Sequence, residues 1–529
     1  MRLPMTNLRL RSDATDLRHG SIHRTVRRHP LRMKGFAAAF SIFALYLAWH
    51  AAHDREASPA DELPVAAALA QGASEVGAAG ASAASTPMLA SAASVPNGAS
   101  PSGAVSGAAA AGTAGPSGGS GQEAAAVAST DDGTADLVKR GEYLARAGDC
   151  IACHTADKSR PFAGGLPIGT PFGTLYTPNI TPDPETGIGR WTDADFLRAM
   201  QQGIGKGGEH LYPAFPYAEY TRITERDVLA IRAYLNTLAP IRYTPPRNDL
   251  SFPFNQRWLM FFWNLFNFHE GRFVPDPKQS PQWNRGAYLV EGLAHCEECH
   301  TPRNFMQGLK SSDRFSGAVQ AGWRAFNITP DRAGGIGNWS DEDIVRYLGT
   351  GAVPGRANAA GPMADVVADS TQYLTPEDLR SIAAYLHSVR PVVGGQTRPR
   401  DQWGSPADDV KRLRGTRVTS VDGAQLFVAN CASCHNWTGQ GIGASSPLAY
   451  PSLIHNSVVG APDSDNLAMV ILHGVNRHTK EADVMMPAFG NELDDDQIAA
   501  IANYVTKHFG NPKATVTADD VGKLRQRQQ

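Results

Sequence analysis

Six cysteines occur in the 529-residue chain, and all fall in three strings of one kind: CIACH (residues 150–154), CEECH (296–300) and CASCH (431–435). The chain's own Cys and His frequencies give roughly 0.002 chance occurrences of such a string, so three are no accident. Two cysteine sulfurs at this spacing, followed at once by an imidazole, can form two thioethers to the vinyl groups of a haem while the histidine takes the iron. Zinc and a disulfide are the competing chemistries. Zinc wants four ligands from paired motifs and an oxidised pair needs no histidine, so neither explains a His after every pair. The candidates are therefore Cys150, Cys153 and His154; Cys296, Cys299 and His300; and Cys431, Cys434 and His435. The expected cofactor is haem c, three covalently bound groups with their iron.

A haem that only carries electrons has a second strong ligand closing its distal side, and Met there raises the potential. Met363 in GPMADV lies 63 residues after His300, and Met486 in MMPAF lies 51 after His435. Each adjoins a proline in a loop ahead of a closing helix. Met485 competes with Met486, whereas Met469, on a helical apolar face, reads as core. In the first unit the matching loop is LYPAFPY, where Phe215 cannot bind iron. His210 and Met200 stand nearby, one reading as a surface histidine and the other as core. The distal ligand of that haem stays open.

These residues must be positioned by repeated elements. PNITPDPETGIGRWTDADF (178–196) matches FNITPDRAGGIGNWSDEDI (326–344), 148 residues later, and the first two CxxCH strings are separated by almost the same distance. Each CxxCH follows a short helical pattern carrying Gly and an aromatic: Gly141 with Tyr143, Gly286 with Tyr288, Gly423 with Phe427. Each unit then closes with an amphipathic helix, DVLAIRAYLNTL, DLRSIAAYLHSV or DQIAAIANYVTKHF, with Tyr234, Tyr385 or Tyr504 near its end. The small residue lets the closing helix cross the opening one closely. The aromatics read as core packing.

The fold expected is mainly α, three tandem class I cytochrome c domains after an N-terminal membrane segment and a disordered linker. Nine Lys or Arg residues between Arg2 and Lys34 mark a basic cytoplasmic tail, 1–34. Residues 35–52, GFAAAFSIFALYLAWHAA, would reach about 27 Å as a helix, enough to anchor in a bilayer or to serve as a cleaved signal. Met33 is an alternative start. Residues 53–134 are rich in Ala, Gly, Ser and Pro, with no basic residue between Arg55 and Lys139, and read as a flexible tether. The remaining divisions are a first domain at 135–245, an aromatic interdomain segment at 246–283, a second domain at 284–392, a linker at 393–416, a third domain at 417–515 and a tail at 516–529. RWLMFFWNLFNF, in the aromatic segment, reads as interdomain packing or as a contact for a partner, quinone or membrane. With 49 Lys+Arg against 51 Asp+Glu, no nucleic-acid partner is indicated.

The stretches PDPKQSPQWNRGAYLVEGLAHCEECHTPRN, GGLPIGTPFGTLYTPNITPDPETGIGRW and GPMADVVADSTQYLTPEDL together resemble the three-haem cytochrome c subunit of membrane-bound periplasmic dehydrogenases, which act on alcohols, gluconate, aldehydes or N-heteroaromatics. The resemblance runs from about Ala135 to Phe509. It implies haem attachment at the nine CxxCH residues above and distal Met363 and Met486. It further implies a partner catalytic subunit (quinoprotein, flavoprotein or molybdoprotein), electron delivery to ubiquinone or a terminal oxidase, and a place at the inner membrane with the haem domains on the periplasmic side. Phe215 departs from the family's Met in YPAMPY, which tilts the reading towards N-heteroaromatic- or aldehyde-oxidising partners. No catalytic-subunit motif is present, neither a dinucleotide-binding Gly loop nor a propeller repeat. Electron transfer leads, and the rival is a peroxidase-like multihaem enzyme with an open first haem; a soluble shuttle or sensor is a third reading.

Overall fold

Glycine sets the architecture of each repeat in the computed structural model, which describes residues 133–407, 421–442 and 450–527. Three helix pairs cross in the same way: Thr134–Ala147 with Glu225–Leu235, Pro281–Tyr288 with Pro376–Leu386, and Gly423–Asn430 with Asp495–Phe509. A methyl carbon on Gly141 would stand 1.9 Å from the Ala230 carbonyl oxygen, one on Gly286 1.9 Å from that of Ser381, and one on Gly423 2.2 Å from that of Ala500. Only a residue without a side chain lets the two backbones touch. The closing helices start at a side-chain cap, Thr224, Thr375 or Asp494, which accepts the N–H of the third helical residue. Their inward faces recur at helical spacing: Val228, Ile231 and Leu235; Leu379, Ile382 and Leu386; Ile498, Ile501 and Val505, all buried.

The first two repeats share one apolar core, whereas the third is built around a separate one centred on Phe427, Met469, Ile498 and Phe509. The fold is mainly helical, as expected, with cytochrome-like helix pairs. Between opening and closing helices lie small antiparallel sheets that spacing did not announce. Pro167–Thr170 pairs with Gly173–Tyr176 in the first repeat, and Ala318–Gln320 with Trp323–Ala325 in the second. Asp249–Leu250, from the aromatic segment, adds a third strand to the first sheet.

Two assignments change. Residues 516–529 are not simply a tail, because Ala518–Gln526 form a helix with Val521 and Leu524 buried in the third core. Thr517 and Asp520 cap it reciprocally, and Val521 and Leu524, three residues apart, form its buried face. The linker 393–416 is not all linker either: Arg400 and Asp401 are buried within it. In the aromatic segment, the helix Met260–Asn267 and the turn before it face both ways. Leu259 and Trp263 are buried, while Trp258, Phe261, Leu265 and Phe266 are 41, 56, 63 and 62 % exposed.

The basic tail, residues 35–52 and nearly all of the tether lie outside the described residues, all of which belong to the compact unit Ser58–Gln529. Among the described residues no helix is long and apolar enough to cross a membrane.

Candidate haem sites

Each opening helix leads to a short helical turn at its CxxCH string, Cys150–His154, Glu297–His300 capped by Cys296, and Ala432–His435 capped by Cys431. In the first two repeats the chain leaves the opening helix through a left-handed residue just before the first cysteine, Asp149 at φ 50° and His295 at φ 36°. All six cysteines are unpaired and half-buried. Burial pushes the thiols of Cys150, Cys153, Cys296 and Cys431 up to about 12, and that of Cys299, partly offset by Arg303, to about 11. Among the described residues no three His, Cys, Asp or Glu side chains gather as a metal site.

The histidines are oriented identically. The Nδ1 of His154 is 2.8 Å from the Pro178 carbonyl oxygen, that of His300 2.6 Å from Phe326 O, and that of His435 3.0 Å from Pro451 O. A carbonyl can only accept, so Nδ1 holds the proton in each ring and Nε2 presents a lone pair. Burial also pulls all three below the usual histidine value, favouring the neutral ring that binds iron.

Two of these carbonyls open the duplicated NITP motif, which spacing located without assigning it a task. Asn179 donates to the carbonyls of Ile241 and Tyr243 at 2.8 and 3.1 Å and accepts from the Thr181 N–H at 2.9 Å. Asn327 does the same with Val392 O and Thr329 N–H, each at 2.8 Å. Each asparagine thus pins the loop whose preceding carbonyl orients the histidine, the kind of outer support that ligand histidines need.

Met486 ends the strand Asp483–Met486, which pairs with Val475–His478. Side chains alternate along a strand, so Met485 turns out to 69 % exposure while Met486 is half-buried on the other face. Met363 sits in the first turn of Pro362–Asp369, packed with Ala359, Ala364, Val367 and Tyr347. Met469 and Met200 are core residues. Phe215 packs edge-on against Tyr220, ring centres 5.5 Å apart. The His210 ring faces the aromatic helix instead, its Nδ1 3.5 Å from the Asn264 amide and its centre 6.4 Å from that of Phe261.

The cytochrome c family matches this chain at residues 138–239 and 420–508. The fructose dehydrogenase cytochrome subunit of Gluconobacter japonicus is 43% identical over 404 residues, covering 73% of this chain and 82% of that one. The chain belongs to the family of cytochrome c subunits of dehydrogenases. The gluconate 2-dehydrogenase cytochrome c subunit of Pantoea cypripedii is 38% identical over 414 residues, 76% of this chain and 92% of that one. A diheme cytochrome c-type of Cereibacter sphaeroides is 41% identical over 262 residues, 47% of this chain and 85% of that one.

Membership of the cytochrome c family implies covalent haem c, and the buried cations of this cytochrome test the fit. Arg477 is buried with Nη1 on the Ala359 carbonyl at 2.6 Å and no partner for Nε. Arg400 is buried with Nη1 on the Gly334 carbonyl and Nε again orphaned. Burial lowers both, Arg400 to about 10, and both act on the Tyr347 hydroxyl beside Met363. Neither forms an ion pair with a carboxylate among the described residues, although Asp401 and Asp331 act on Arg400 from a greater distance. Buried guanidiniums left with orphaned donors call for an anion, and haem c brings two propionates. Charge and hydrogen-bond demand in the second repeat therefore suit the cofactor.

Proposed function

We propose that this cytochrome carries three haems c, on Cys150, Cys153 and His154, on Cys296, Cys299 and His300, and on Cys431, Cys434 and His435, with Met363 and Met486 as distal ligands of the second and third. It relays electrons from a dehydrogenase catalytic subunit, a quinoprotein, flavoprotein or molybdoprotein, to ubiquinone or a terminal oxidase. The observation that carries the reading is the threefold recurrence of a CxxCH histidine whose Nδ1–H is held by a backbone carbonyl. Subunits of fructose and gluconate dehydrogenases are its relatives, which supports a partner of that class.

The same reading places the chain at the inner membrane, haem repeats on the periplasmic side, tethered through residues 35–52. Its support is the exposed face of Trp258, Phe261, Leu265 and Phe266, an apolar patch of the kind that meets lipid or a partner. An apolar cavity lined by Phe172, Tyr212, Phe254, Met260 and Trp263 adjoins this helix and the LYPAFPY loop, a setting suited to a quinone ring.

Mass spectrometry of the denatured, matured protein is expected to show three haem additions; two or fewer would assign one motif another role. Met486→Ala is expected to remove the sulfur-to-iron absorption of the third haem and lower its potential. Loss of that band in Met485→Ala instead would move the ligand by one residue.

A further inference from the structure

The first two repeats hold each other by a contact that is the same in both directions. From the first opening helix, Tyr143 donates its hydroxyl to Oδ2 of Asp378 at 2.5 Å and accepts the Thr375 N–H at 3.2 Å. From the second, Tyr288 donates to Oδ2 of Asp227 at 2.6 Å and accepts the Thr224 N–H at 3.2 Å. Each carboxylate is also gripped by an arginine of its own repeat. Arg285 reaches Asp378 at 2.8 and 2.6 Å, and Arg140 reaches Asp227 at 2.7 and 2.6 Å. Both aspartates are buried. The reciprocity, residue i on j and its counterpart on the counterpart of j, is that of an isologous interface folded into one chain.

This contact brings the two attachment turns together. A carbon on Gly148, two residues before Cys150, would stand 3.4 Å from Leu293, and the His295 ring, one residue before Cys296, is 3.4 Å from the Gly148 carbonyl. The third repeat has none of the parts: Asp422, Gln425 and Gln497 occupy the places of the arginine, tyrosine and aspartate.

We propose that this clasp makes the first two haem sites a single electron-sharing pair, with Tyr143, Asp378, Tyr288 and Asp227 as its positioning residues. The proposal rests on the three-haem reading above. With haems bound at both turns, one electron would pass within the pair, one iron going from Fe(II) to Fe(III) as the other goes from Fe(III) to Fe(II), with no proton or bond changing. The clasp sets the separation and mutual orientation of the two turns; the third site joins the pair as a separate module.

The full-length holoprotein carrying Tyr143→Phe and Tyr288→Phe tests this, because each change deletes one hydroxyl and keeps the ring. In frozen-solution EPR the first two oxidised haems are expected to speed each other's spin relaxation in the wild type. The double variant is expected to lose that enhancement while the third haem's signal and potential stay put. Each single variant is expected to lose part of it, and the two singles to match, which decides the matter should the double variant fail to fold. Unchanged coupling in a three-haem protein, or an equal change at all three haems, overturns the pair alone. Fewer than three haems by mass overturns the premise and the pair with it.

Discussion

The second repeat is joined to its two neighbours by interfaces of opposite kinds. Towards the first repeat the contact is reciprocal and buried, tyrosine on aspartate in both directions over a shared core. Towards the third it is not reciprocal, each side contributing different residues. The second repeat's hairpin inserts Trp323 into the third core, Arg324 exchanges backbone hydrogen bonds with the Asn466 side chain at 2.7 and 2.9 Å, and its guanidinium meets Asp463 at 2.9 Å. In the other direction the third repeat sends Arg477 to the Ala359 carbonyl beside Met363. A duplicated unit can dock on its copy self-complementarily, whereas a third, diverged unit must find a different surface. The first junction therefore rests on paired buried carboxylates, and the second brings a buried cation of the third repeat up to the Ala359 carbonyl beside Met363.

Removing one member of the buried junction is the most severe test of that contrast. Asp378→Ala strands Arg285 and Tyr143 and is expected to destabilise by about 3–5 kcal/mol in urea unfolding, the cost of breaking a buried, hydrogen-bonded charge pair. Asp463→Ala, at the partly exposed pair with Arg324, is expected to cost at most about 1 kcal/mol. Equal losses would erase the distinction between the interfaces.

Next in size is an effect that all three repeats should share. Gly286→Ala and Gly423→Ala each force a methyl into a carbonyl oxygen at the helix crossing, and a loss of about 1–3 kcal/mol or more is expected for both. A tolerated Gly423→Ala would show that the third crossing is looser than the others.

Arg477→Gln is expected to lower the potential of the second haem, although the residue belongs to the third repeat, because a nearby cation favours the reduced iron. Potentiometric titration separates the haems. A shift confined to the third haem would reassign Arg477 to its own repeat.

The smallest effect is in acid. Burial works to raise Asp378, but the hydrogen bonds from Arg285 and Tyr143 outweigh it and hold the carboxyl below the usual carboxylate range. A carboxyl depressed on folding lends stability that is complete above its unfolded value, about 3.9, and is lost as pH falls through the folded value. Wild type is therefore expected to lose stability below about pH 4 more steeply than Asp378→Asn. Parallel profiles would mean that the clasp does not depend on ionised Asp378.

Much of this was readable in local spacing. The attachment chemistry lies within five residues, the crossing glycines precede each CxxCH at helical distance, and the closing helices show their apolar faces. Tyr385 and Tyr504 are buried as expected of core aromatics. Tyr143 and Tyr288 were expected only to pack; their rings do, and their hydroxyls reach carboxylates 235 and 61 residues away. The helix at 518–526 was missed although its cap and apolar pair were visible, because nothing local tells a docked amphipathic turn from a solvated one.

The sequence alone determined what chemistry the three CxxCH strings can do, since thioether and ligand chemistry depends on residues a few bonds apart, and it determined the duplication and the helix pairs for the same reason. Tertiary structure decided which carbonyl orients each histidine, why Met486 and not Met485 turns inward, how the first two repeats clasp and whose arginine reaches the Ala359 carbonyl beside Met363. Those choices depend on contacts between residues far apart in the chain, whose pairing is settled only when burial makes an unpaired carboxylate or guanidinium too costly to leave alone.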